Sequence, residues 1–129
     1  MIRIATRAGG KTTEADKTLL RKVATVLHKA KSDVGVRKET PLYICDEWTW
    51  NDHLKMNPQS IAHCDGSGKL FLRKDAFKHE IGRDISLYDL LKHELIHAKL
   101  GKKEKVAHGP EFKKVAKKAG LPKKHWVKG

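Results

Sequence analysis

The chain has 129 residues, of which 39% are hydrophobic and 33% charged, and it carries a formal net charge of +13 at pH 7. That length suits one domain, residues 1–129, built around a single modest core, and no apolar run approaches the roughly 20 residues of a membrane span. The opening MIRIATRAGGKTTEADK has no apolar stretch of the secretory kind, so neither a membrane protein nor a secreted one is expected, and the expected location is cytoplasmic or nucleoid-associated.

The charge is uneven along the chain. Residues 1–31 hold 8 basic and 2 acidic side chains, residues 32–98 hold 9 and 11, and residues 99–129 hold 11 and 2. The net charges are therefore +6, −2 and +9. A balance of this size favours a polyanionic partner, DNA above all, single- or double-stranded and without sequence preference. Lysines that only solubilise a small domain are the alternative. Cys45 and Cys64 form no C-x-x-C pair, and without a secretory signal they are expected to be reduced thiols rather than a disulfide.

Taken in order, Thr12 to Lys31 shows apolar residues at helical spacing: Leu19, Leu20, Val23, Ala24, Val26, Leu27 and Ala30. Thr13 and Asp16 offer a capping box for it. Gly35 to Pro41 is a turn-rich connector, and Pro41 to Cys45 a short strand. Asp46 to Pro58 is irregular and holds Trp48 and Trp50, which are expected to plug the core rather than to stack on bases. Ser60 to Cys64 and Lys69 to Arg73 form two strands joined by the turn Asp65-Gly66-Ser67-Gly68. Leu70 and Leu72 share one face of the second strand, and Phe71 takes the other. His28 is expected at an edge or on the surface, and His63 and His79 lack ligand spacing.

Ser86 followed by Asp89 is a capping box that starts a helix near Leu87. Leu87, Leu90, Leu91, Leu95 and Ala98 make its apolar stripe, and Gly101 stops it. This helix carries His93-Glu94-Leu95-Ile96-His97. Residues four apart share a helix face, so His93 and His97 can offer two imidazole nitrogens to one Zn²⁺. Glu94, between them, can act as general base without ligating, which is the logic of H-E-x-x-H in zinc peptidases.

A catalytic zinc usually takes three protein ligands. His108, after the basic connector Lys99 to Ala107, is the expected third, with Glu104 and Glu111 as rivals. A metzincin is excluded, because its Gly and third His would fall where this chain has Leu100 and Lys103. Pro110 suits the first position of a last helix, whose apolar face is Phe112, Val115, Ala116 and Ala119, ended by Gly120 and Pro122. Lys113, Lys114, Lys117 and Lys118 lie opposite, and Lys123 and Lys124 continue the basic run into a tail over about 121–129. Those six lysines are the candidate nucleic-acid contacts.

The stretches LLKHELIHAKLG and HGPEFKKVAKKAG resemble the SprT-like (Spartan/SprT) zinc metallopeptidase family, whose pattern is H-E-x-x-H-A followed by H-G-x-x-F at the start of the next helix. GKLFLRKDAF resembles the family's strand before the active-site helix, and the likeness covers about residues 40–121. It implies a zincin-like α+β domain with an N-terminal helix and a small antiparallel or mixed sheet of about three strands. The H-E-x-x-H helix and a C-terminal helix carrying the third ligand complete it. It implies one Zn²⁺ per chain held by His93, His97 and His108, Glu94 as catalytic acid/base, and protein substrates associated with or crosslinked to DNA. The protein is expected to be a monomer. The resemblance also suggests that the Lys69–Arg73 strand is the sheet edge that binds extended substrate by strand addition. Many members carry a cysteine-rich zinc ribbon after this domain, and this chain reaches Gly129 without one. Tyr43 and Tyr88 are candidates for oxyanion stabilisation. The alternative class is a non-catalytic basic nucleic-acid-binding module with a structural or vestigial zinc site.

Overall fold

The structure, a computed structural model, describes residues 2–5, 14–46, 49–55, 62–65, 68–74, 86–101, 108–123 and 126. These form β1 (Ile2–Ala5), α1 (Glu14–Val34), β2 (Leu42–Cys45), a single π-helical turn (Thr49–His53), β3 (Ala62–Cys64), β4 (Leu70–Arg73), α2 (Leu87–Leu100) and α3 (Pro110–Lys118). The fold is α+β, as expected.

The sheet is mixed, in the order β1-β2-β4-β3. β1 and β2 are parallel, β2 and β4 are parallel, and β3 and β4 are antiparallel. Three of these strands fall where alternation places them. β1 is the addition: four residues give too short an alternation to register, and their partner lies beyond the whole of α1. The β3–β4 turn closes with Asp65, whose Oδ1 accepts from the Lys69 N–H at 2.9 Å, and with Gly68 at φ +94°, a conformation that suits glycine.

One assignment needs correction. The Lys69–Arg73 strand is not an edge, because β4 is hydrogen-bonded to β2 on one side and to β3 on the other. The edge that packs near the H-E-x-x-H helix is β3. Alternation reports which face a residue takes and says nothing about which strands are neighbours.

Among the described residues α1 and α2 pack on one face of the sheet, and α3 packs on α2. Val23, Leu27, Ala30 and Val34 of α1 recur at helical spacing and meet Leu42, Ile44, Ala62, Leu70 and Leu72 of the strands. Leu90, Leu91, Leu95 and Ile96 of α2, Phe112 and Ala116 of α3, and Leu121 complete the same core. α1 runs beyond the expected Lys31 to Val34, and Gly35 at φ +84° ends it. The Lys99 ammonium donates to the Val34 carbonyl at 2.8 Å, placing a cation on the negative end of α1. The capping role of Thr13 lies outside the described residues. Trp50, in the π-helical turn, is wholly buried, as a core plug should be. Trp48 lies outside the described residues. Trp126 is half-buried and donates from Nε1 to the Leu121 carbonyl at 2.8 Å, so it folds back on the core. No described helix is long and apolar enough to cross a membrane.

Candidate metal centre

The centre starts from a buried helix. Ser86 caps α2, its Oγ accepting from the Asp89 N–H at 3.1 Å, and Gly101 follows the last turn. From Leu90 to Ile96 every side chain is buried, including Lys92 at 3%, His93 at 0% and Glu94 at 2% exposure. Polar groups sunk into an apolar helix need partners, and Lys92, His93 and Glu94 all have them. His97, one turn on from His93, is half-buried and opens towards solvent.

His108 reaches the same point from the far side. It sits in the left-handed region at φ +58°, which histidine tolerates better than bulky or branched residues and which often marks functional sites. Gly109 then serves as N-cap with no side-chain bond, and Pro110 opens α3 at its first position, where the missing N–H costs nothing. The three imidazoles converge. Nε2 of His93 lies 3.3 Å from Nε2 of His97 and 3.2 Å from Nε2 of His108. A tetrahedral first-row ion with metal–nitrogen bonds of about 2.0–2.1 Å sets its nitrogen ligands about 3.3–3.4 Å apart. The donor set therefore fits a metal, and His93, His97 and His108 are the residues able to hold one. Glu111, the rival on α3, is exposed in the first turn and stands outside this cluster. Glu104 lies outside the described residues.

Two contacts of the centre, at Phe112 and Lys92, escaped the sequence reading. Phe112 is wholly buried, and its ring centroid lies 4.9, 4.8 and 5.0 Å from those of His93, His97 and His108. It is the floor on which all three imidazoles rest. Its periodicity marks it as core, which it also is. Lys92 is buried beside His93, and its ammonium donates to the Ala119 carbonyl at the end of α3 at 2.9 Å. That ammonium also lies 4.3 Å from the centre of the Tyr88 ring, within cation–π range. A lysine inside the apolar run Leu90-Leu91-Lys92 is the signal that marks it.

Neither tyrosine stands where an oxyanion would form. Tyr88 donates its hydroxyl to Asp33 of α1. That bond, with burial and the nearby charges of Asp33 and Asp89, pushes the phenol up to about 12. Tyr43 lies between Leu42 and Ile44, which face the helices, and so points to the opposite side of the sheet. Cys45 and Cys64 are not joined in a disulfide. Burial, aided by Asp46, pushes the Cys45 thiol up to about 11, the mark of an unreactive core thiol.

Lys113, Lys114, Lys117 and Lys118 are all exposed on α3, opposite buried Phe112 and Ala116. Lys123 is exposed as well, and Lys124 lies outside the described residues. No protein family, curated protein or solved structure matches the chain.

Proposed function

We propose that the chain is a zinc-dependent endopeptidase of the SprT-like kind, acting on proteins associated with or crosslinked to DNA. The His93 Nε2 at tetrahedral spacing from those of His97 and His108, with one ligand atom of each residue within 4.8 Å of the others, carries this reading. Three imidazoles leave a fourth position, as catalytic zinc sites do and structural sites usually do not. A bound zinc would polarise a scissile carbonyl and make a water acidic enough to be deprotonated near neutral pH.

The chain's own groups supply the rest. Glu94 follows His93 on the same buried helix, where a carboxylate can take a proton from the attacking water and pass it to the leaving amine. Phe112 fixes the imidazole planes from below. The β3 edge has one side free of sheet partners among the described residues, so an extended peptide could add there by backbone hydrogen bonds. The basic ends of the chain supply the attraction to DNA.

The test is Glu94→Gln, which keeps size and removes the base. Cleavage of an unfolded protein substrate should fall by about 10²- to 10⁴-fold, while zinc bound per chain stays at the wild-type level. If wild type and variant cut equally, or neither cuts, the peptidase reading fails. The charge distribution would then favour a non-catalytic nucleic-acid-binding module.

A further inference from the structure

α3 follows directly on His108 and has little of its own to hold it in place. It is 9 residues long, 4 of them lysine, whereas an isolated helix needs about 12–15 residues to be stable in water. Its N-cap, Gly109, makes no side-chain bond. The position of α3, and of the imidazole before it, therefore depends on contacts with the rest of the fold. Phe112 and Ala116 pack its inner face, and Lys92 of α2 fixes its far end.

The last turn of α3 leaves a place for that lysine. The carbonyls of Val115, Ala116 and Lys117 accept from the N–H groups of Ala119, Leu121 and Gly120 at 2.9, 3.0 and 3.2 Å. The Ala119 carbonyl takes the Lys92 ammonium at 2.9 Å, at the negative end of the helix. A lysine reaches this point on a flexible four-carbon stem and loses its rotamer freedom there. Tyr88 limits that freedom. It precedes Lys92 by one helical turn on α2, and its ring centre lies 4.3 Å from the ammonium. The ring is anchored in turn from α1: its hydroxyl donates to the Asp33 carboxylate, and the Lys29 ammonium lies 4.9 Å from the same ring centre. The Asp33 charge offsets the two ammonium groups gathered on one ring.

We propose that Tyr88 is a positioning residue for the metal centre: pinned by Asp33, it aims Lys92 at the end of α3 and so holds His108 beside His93. The three ligands meet only when α3 is docked, so apparent zinc affinity scales with the docked fraction of the metal-free chain. Loosening Tyr88 lowers that fraction although no ligand changes. The proposal rests on the metal centre and is indifferent to whether the protein cuts peptides.

Zinc affinity under chelator competition, measured on single and double variants, tests it. Tyr88→Leu should weaken zinc binding by about 2- to 30-fold, the range a cation–π contact spans. Tyr88→Phe keeps the ring and loses its tie to Asp33, and it should weaken zinc binding by less. In a Lys92→Met background neither change should cost zinc affinity anything further, because the link they act through is already cut. Tyr88→Phe gives the answer if the leucine variant fails to fold. Losses that add between positions 88 and 92 overturn the proposal. So does a Tyr88→Leu variant that unfolds at lower urea yet binds zinc as the wild type does. A wild type that takes up no zinc overturns the metal centre and this proposal together. Zinc binding with the expected coupling but no cleavage of any protein upholds it and overturns the peptidase reading alone.

Discussion

At the scale of single residues the centre divides into what spacing reveals and what only folding brings together. His93 and His97 are legible because a helix fixes the relation of residues four apart, and a capped apolar helix is legible here from Ser86 and Gly101. His108 is legible as a histidine before a helix start. Its arrival beside His93 depends on a left-handed turn at φ +58°, which no periodicity encodes. His108→Ala leaves two imidazoles, so zinc affinity under chelator competition should drop by orders of magnitude while the helical content survives. Full occupancy in that variant would move the third ligand elsewhere, to Glu104 or Glu111.

At the scale of elements, α2 and α3 are readable by their ends, and the sheet is readable only strand by strand. Pro110 and Gly120 bracket α3 as sequence logic requires. Strand order depends on partners far apart in sequence, so nothing local to β1 marks it as a strand and nothing local to β4 marks it as central. The bond that fixes α3 against α2 is equally hidden, because a lysine's partner cannot be read from its neighbours. Lys92 joins the two helices that carry the ligands, through its bond to the Ala119 carbonyl. Lys92→Met keeps the stem and deletes the ammonium, leaving that carbonyl without its charged donor. Stability by urea unfolding should fall by about 1–3 kcal/mol. Zinc affinity should weaken several-fold although all three ligands remain, because α3 holds His108 in register. A variant with wild-type stability and affinity would show that packing of Phe112 alone positions α3.

At the scale of the whole molecule the question is whether the two basic ends act together. The fold brings α1 and α3 against each other, so the basic residues of these two helices lie on neighbouring elements. Lys17, Arg21, Lys22 and Lys29 of α1 and Lys113, Lys114, Lys117 and Lys118 of α3 are exposed. Duplex DNA offers this surface only phosphates, so its binding should weaken steeply with salt and show little sequence preference. Replacing the four α3 lysines with Gln keeps helix propensity and removes four charges. Every lysine–phosphate pairing that the replacement abolishes should flatten the log–log salt slope by roughly 0.9 on duplex and 0.7 on a single strand. Zinc content and basal cleavage of an unfolded protein should stay at wild-type levels, because this face carries no chemistry. If the quadruple variant keeps the wild-type slope on duplex, the α3 lysines are solubilising charge, and any duplex binding must come from α1 or the N-terminal segment.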